Sequence, residues 1–491
     1  QGDFGEPEKM LLFTERTEGY DGSPVDGVDR VFECTGDFVS AVLRVMPHGN
    51  DEARFKRIVE QMKQVKLTPL SVFLGGDPKP LGEVGLPPVG ETDFDVFENN
   101  LLEVMQFVFN HTTFDPDNAE DQAVLAAYKP LGVEPGKAYD PVKVAKIDGK
   151  KVREIAQKIQ REWLRDISSQ EIYDAVAPVI FQPKGETSLD ALVATSITGP
   201  IGIPQEEAVY PQLVTTDGTP LNAQHDYVIR MSAEEMPPAG AFWSLTLYDL
   251  PEGFFIPNDL KNYSVGKNGG MKLDEDGGIE IHIAAEKPEG VPEENWLPIE
   301  RKDLDLGAQF RLYVPDLEKL KTWTPPKAEK VTASASTADT SKTEQPASPG
   351  VVLDDAAIEN LVRRSYQYVA MYNVNNKCAD DQVKGWNKTL GKTELLDHTV
   401  QVIARPNNDT LYIASMLDLR KEPVILDMPA FDSKYVSLLV SGYDHYVTIP
   451  LASRLGDFQK PTKILFYTAR TEGYDGEAVE GIDKVFEGTG D

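Results

Sequence analysis

The chain has 491 residues, 41% of them hydrophobic, and 49 basic against 80 acidic side chains give a formal net charge of -31. That length exceeds one ordinary core, so two or three domains are expected, each able to bury its own. So acidic a surface repels phosphate backbones and anionic membranes, which excludes nucleic acid as a partner, and no apolar run approaches the roughly 18 residues of a membrane-spanning helix.

The chain opens on Gln1 without a basic, apolar, small-residue signal pattern, which reads as a mature product or a window cut from a longer chain. Residues 2–37 (GDFGEPEKMLLFTERTEGYDGSPVDGVDRVFECTGD) recur at 456–491 (GDFQKPTKILFYTARTEGYDGEAVEGIDKVFEGTGD), offset by 454 throughout, with 23 of 36 positions identical. A fixed self-similarity marks tandem duplication, so the chain reads as one period plus an overlap, and favours the window. Asp21-Gly22, and Asp475-Gly476 in the second copy, signal a turn.

Phe55, Ile58, Val59, Met62 and Val65 form an amphipathic stripe that predicts a helix over 51–66, and further helices fit 93–110, 119–128 and 149–166. From 207 to 314 β-branched and aromatic runs return (AVYPQLVTT, DYVIRMS, AFWSLTLYD, GIEIHIA, AQFRLYV), with Asp276-Gly277 as a hairpin turn. Residues 325–350 are the natural punctuation: 331–350 hold eight Ser or Thr and no aromatic, cannot bury a core, and read as a mobile tether. After it, Ile358, Leu361, Val362 and Val369 predict a helix over 354–372, and six short strands follow between 399 and 468 (TVQVIA, TLYIASML, PVILDM, YVSLLVSG, HYVTIP, KILFYT). The fold class is mainly β with a helical insertion, an α+β unit. Its parts are 1–50 as the back of a split β domain, 51–206 helical, 207–324 a β-sandwich domain, 325–350 the linker, and 351–491 the front of the next split domain.

RPNNDTLYIASMLDLRKEPVILDMPAFDSKYVSL (405–438) and LGVEPGKAYDP (131–141) resemble the domain-of-unknown-function family 1254. FWSLTLYDLPEGFFIPNDLKNYSVG (242–266), NWLP (295–298) and FRLYVP (310–315) resemble its usual companion, family 1214. The resemblance implies two jelly-roll-like β domains per unit with a helical part, and no settled reaction. The 1214-like stretch precedes most of the 1254-like stretch, the reverse of the family's usual order, which supports a frame shifted within an array.

Arg405, Asn407, Asn408, Asp409 and Tyr412 concentrate donors and acceptors at a strand entry; a turn locked by an Arg-Asp pair is favoured there over a ligand pocket, in which His282 is the further candidate. The six histidines show no pair at metal-ligand spacing. Asp115, Asp117 and Asp121, and separately Asp274 and Asp276, are candidate calcium ligands, against helix capping at Asn118 and a hairpin tip at 274–278; no other cofactor is expected. Asn110, Asn262, Asn387 and Asn408 begin glycosylation sequons, and Cys34 and Cys378 are either two thiols or one disulfide. No nucleophile elbow, phosphate loop or dinucleotide fingerprint is present, so no catalytic residue is assigned.

The leading expectation is a structural one: an extracellular or cell-surface filament subunit whose partners are neighbouring copies of itself, each completing the split β domain of the next. The alternatives are a circular permutant, folded back on itself with one copy of the duplicated segment surplus, and an exported hydrolase or ligand-binding protein with a pocket between its two β domains.

Overall fold

The computed structural model describes residues 8–166, 172, 175–250, 252–331, 353–401, 404–453, 464–468 and 484–488. Its elements form a mixed α+β architecture, mainly β-sheet, and none of the sheets among the described residues closes into a barrel.

The split β domain is completed within the chain. Strand Phe38–Val45 lies antiparallel between Leu411–Asp418 and Val436–Ser441, so that Leu43 pairs with Ile413 on one side and Leu438 on the other. Lys388–Lys392 and Val447–Ala452 extend this sheet at its two edges. A second sheet runs Arg30–Glu33, Glu8–Phe13, Val424–Met428, Lys66–Pro69. The two share one core, in which Met10, Leu12 and Phe32 meet Leu43, Ile413 and Leu438. All eight residues of Phe38–Val45 are buried, as expected of a central strand covered on both faces. The strand Lys66–Pro69, which falls inside the expected helical insertion, is held there by pairing with Val424–Asp427.

The duplicated segment is seen twice. Glu8–Phe13 runs parallel to Arg30–Glu33 with Met10 opposite Arg30, and Ile464–Thr468 runs parallel to Lys484–Gly488 with Ile464 opposite Lys484, the same register 454 residues on. The first copy also pairs with Val424–Met428; among the described residues the second pairs only within itself.

The second β domain packs the sheet Ser264–Gly266, Ala239–Asp249, Asp305–Pro315, Ala208–Val209 against the sheet Trp296–Pro298, Ile279–Ala284, Asp226–Met231, Lys327–Val331, Val214–Thr215. Lys327–Val331 shortens the expected linker, because it pairs with Asp226–Val228 and buries Ala328; residues 332–352 lie outside the described residues. The run read as one strand at 208–216 is two short ones parted at Pro211, whose ring removes a ladder donor. The strand expected over TVQVIA does not form at 399–401, and 402–403 lie outside the described residues.

Helices at Glu52–Met62, Ala119–Tyr128, Gly149–Asp166 and Asp355–Lys377 match the periodicity. The helix expected over 93–110 is two, Asp93–Asn99 and Leu101–His111, because Asn100 leaves helical backbone and donates to the Pro88 carbonyl. Leu189–Thr198, capped by Ser188, was not anticipated. Apart from Glu52–Met62, these helices pack around Asp355–Lys377, whose Tyr366, Val369 and Tyr372 are buried in their common core.

Lys184 ties this helical part to the first β domain. Its ammonium, 7% exposed, sits 2.7 Å from Asp121, 2.8 Å from the Thr113 carbonyl and 3.7 Å from Asp444, and lies over the Tyr446 ring. Removing the cation strands two buried carboxylates. Lys184→Met is therefore expected to lower the unfolding free energy by about 3–5 kcal/mol; a urea-denaturation midpoint equal to that of the unchanged chain would show that the pair contributes nothing.

Candidate functional site

A cavity of about 550 Å³ opens between the two β domains, within the size range of small-molecule pockets. Its floor is one face of the sheet that Phe38–Val45 completes. Lys392, Tyr412 and Arg44 stand opposite one another across three adjacent strands, and two residues along each strand Leu390, Ala414 and Val42 form the next row. Side chains two apart share a face, which is why both rows look into the same space. Met416 extends the floor. The facing wall comes from the second β domain, with Tyr248, Gln309 and Arg311. The helix Leu189–Thr198 and the end of Asp355–Lys377 with Cys378 close the sides.

The segment 405–409 fastens the two domains beside this cavity. Arg405 has left-handed backbone (φ 53°), uncommon for a side-chain-bearing residue, and its N–H donates to the Gly253 carbonyl at 2.7 Å. Tyr248 Oη donates to the Pro406 carbonyl at 2.7 Å, Asn407 Nδ2 to Tyr313 Oη at 2.7 Å, and Ser244 Oγ to Asp409 Oδ2 at 2.6 Å. Every one of these partners belongs to the second β domain. The expected Arg-Asp pair is not what locks this turn: Arg405 donates to the Thr198 carbonyl at 3.0 Å, and Asp409 is held by serine hydroxyls.

Charge around the cavity is one-sided. Arg44, Arg311, Arg405 and Lys392 line it, and among the described lining residues there is no carboxylate and no imidazole. Arg44 is 3% exposed; its Nη2 donates to the Ile201 and Gly202 carbonyls, its Nη1 has no partner, and its guanidinium lies 5.5 Å from the Tyr412 ring centre. Arg311, also 3% exposed, donates to Thr246 Oγ1 and to the Arg405 carbonyl. Burial pushes the Tyr210 hydroxyl up to about 12 and the Cys378 thiol up to about 11, so both are protonated at neutral pH.

Of the anticipated pocket residues, Arg405, Asn407 and Tyr412 line the cavity. Asp409 and Asn408 do not: the former is turned onto Ser244, the latter accepts from Ser264 Oγ. His282 is elsewhere, because Ile281 and Ile283 bury the inner face of Ile279–Ala284 and leave His282 beside Glu280 on the other face, and no residue of that strand lines the cavity. Arg44, Arg311 and Lys392 were missed. The one available signal was a basic residue at the end of an otherwise apolar β-branched run, as in FVSAVLRV and FRLYV.

Among the calcium candidates, Asp115 accepts from the Asp117 N–H and Asp121 from Lys184. Asn118 caps its helix by accepting from Glu120 and Asp121 N–H groups, Asp121 is committed to Lys184, and Asp274 to Gly278 form a hairpin tip with Gly277 at φ 81°. No group of three His, Cys, Asp or Glu side chains among the described residues is arranged to hold a metal ion. Three sequon amides serve as donors: Asn110 to the Lys137 carbonyl, Asn262 to the Glu293 and Trp296 carbonyls, Asn387 to the Asp418 carbonyl. The disulfide does not form within the chain; Cys34 is a buried thiol of the first β core, and Cys378 packs in a separate cluster with Met416. No helix among the described residues is long and apolar enough to cross a membrane.

Residues 207–317 match the family DUF1214 and residues 386–487 the family DUF1254, each described as a protein of unknown function. Both families that the sequence resembles are thus matched, and residues of both matched stretches line the cavity. It is similar to the crystal structure of the VPA0106 protein from Vibrio parahaemolyticus, with 22% identity over 65% of this chain and 75% of that one and a TM-score of 0.42. It is also similar to an uncharacterized protein from Burkholderia cenocepacia, with 14% identity over 66% and 96% and a TM-score of 0.24. No curated protein matches it.

His445, 2% exposed beside the cavity, bridges Ser196 Oγ at 3.0 Å and the Pro200 carbonyl at 2.6 Å, an arrangement suited to a neutral ring. Burial lowers its pKa from the ordinary 6.5 to about 4. A folded-state pKa below the unfolded one means that protonation favours unfolding, so this contribution is full above pH 6.5 and is lost as pH falls toward 4, by about 3 kcal/mol. His48, also lowered to about 4, acts in the same direction, whereas buried Asp121, Asp409 and Asp444, with raised pKa values, oppose it at higher pH. The readout is accordingly a difference: between pH 7 and 4.5 the stability of His445→Gln should fall less steeply than that of the unchanged chain, and parallel curves would contradict the assignment.

Proposed function

We propose that this chain is a binding protein that holds a small, largely apolar molecule between two jelly-roll-like β domains. The observation that carries this reading is the cavity itself, to which both domains contribute a sheet face and both contribute polar groups. Apolar walls supply affinity through desolvation, and a few fixed polar groups set orientation. Binding is favoured over hydrolysis because the described lining offers no carboxylate or imidazole to serve as a general base. Ala414 sits in the middle of the floor, so Ala414→Phe is expected to fill the space and weaken uptake of an apolar fluorophore at least tenfold, while the melting temperature changes little. Uptake equal to that of the unchanged chain would place any binding elsewhere.

A second reading, self-assembly into an extracellular filament, is favoured by a separate observation: two segments with the same parallel register and one strand, Val424–Met428, against which the first of them is paired. In this reading residues 456–491 of one chain take the place of 2–37 in another, a heterologous exchange that propagates. Sedimentation at high concentration should then show higher species for the full chain and a monomer for a chain ending at 453. A full chain that stays monomeric would sink the reading.

A further inference from the structure

We propose that the molecule held between the two β domains is a carboxylate with an apolar body, its head group docked beside Arg44. The inference rests on the binding reading above and names its ligand class. A guanidinium taken out of water needs a counter-charge or a full set of acceptors. Arg44 has neither: it is 3% exposed, its Nη2 reaches only two carbonyls, its Nη1 has no partner, and no ion pair compensates it among the described residues. Arg311 and Arg405 bring two further guanidiniums to the same space, and Lys392 stands in the row of Arg44 and Tyr412.

The carboxylate that interacts with Arg311 is Asp409, which is committed to Ser244 and does not line the cavity. Burial also raises the pKa of Asp409, an effect that Arg311 and Ser244 only partly offset, so it is a poor counter-ion. In a chain of net charge -31 the buried cavity is therefore locally cationic. It attracts an anion and rejects a cation of the same shape.

The apolar part of the lining specifies the body. Val42, Leu390, Ala414, Met416, Leu306 and Val374 are apolar and cannot satisfy a sugar or a polyanion. A planar carboxylate suits one guanidinium fork while its hydrocarbon covers these side chains. The Tyr412 ring under Arg44 holds the fork in place.

Isothermal titration calorimetry of the full chain with decanoate, decanol and decylamine tests this. Decanoate should bind at least tenfold more tightly than decanol, and decylamine most weakly. Arg44→Met should bring decanoate down to the level of decanol, and Arg44→Lys should keep part of the preference. Because the free protein carries the cost of an uncompensated buried cation, Arg44→Met should not lower the melting temperature; a lowered one together with an intact preference would mark Arg44 as structural and overturn the proposal. Decanol binding as tightly as decanoate would overturn the ligand class and leave the binding reading standing. Decanoate binding unaffected by Ala414→Phe would overturn both, and failure of all three compounds to bind would overturn the carboxylate inference. If Arg44→Met does not fold, the ranking of the three ligands on the unchanged chain decides.

Discussion

The insertion of Phe38–Val45 between two strands from the far end of the chain is the constraint on which the remaining architecture depends. Ser40 and Ser441 are 401 residues apart in sequence and adjacent in the sheet. Closing so long a loop costs only slightly more than closing a short one, because the entropy grows with the logarithm of length. What must outweigh it is local: eight buried positions, each packed on both faces, where truncating a single Leu or Val costs about 2–5 kcal/mol. Without this strand Leu411–Asp418 and Val436–Ser441 would each present a bare edge. With it, one face of the sheet closes a core and the other becomes the floor of the cavity.

That double use explains the placement of Arg44. The strand's inward positions, Val39, Ala41, Leu43 and Val45, belong to the first core, and Val42 and Arg44 fall on the opposite face by alternation alone. A sheet face left unpaired would normally be polar and wet. Here the second β domain covers it, held at the correct distance by the 405–409 turn, and Arg44 is buried as a consequence. The turn and the cation are coupled through Arg311, which donates to the Arg405 carbonyl while lining the same space.

Much of this was legible in the residues, and the boundary between what was and what was not is physical. Helices with a clean 3.6-residue stripe were placed almost to the residue, as at Ala119–Tyr128 and Gly149–Asp166, because their periodicity reports one buried face. Phe38–Val45 was not read as a strand, because burial on both faces removes the alternation that marks one. The linker expected from 325 takes in the strand Lys327–Val331, since KAEKV has no apolar pattern of its own and is a strand only through its partners. RPNND was recognised as a concentrated polar turn, and Arg405, Asn407 and Tyr412 do reach the cavity; Asp409 and His282 were misplaced because sequence does not say which way a side chain turns. Arg44 lies outside both family matches. Its importance arises from a juxtaposition of strands roughly 370 positions apart, which no local pattern encodes.

The net charge of the chain takes its meaning from this geometry. A net charge of -31 is spread over solvated acidic side chains, where screening over roughly 8–10 Å weakens each pairwise repulsion. The cationic groups of the cavity are inside, beyond that screening, where each unit charge acts at lower dielectric and over a shorter range of partners. An acidic exterior and a cationic interior therefore do not cancel. The exterior field slows the approach of an anion, and the interior rewards it only after desolvation, so any preference for anions is expressed in dissociation rather than in encounter. A ligand with an apolar body meets the weaker part of that barrier, because most of what it loses to water it regains from the walls, and only its head group has to find Arg44.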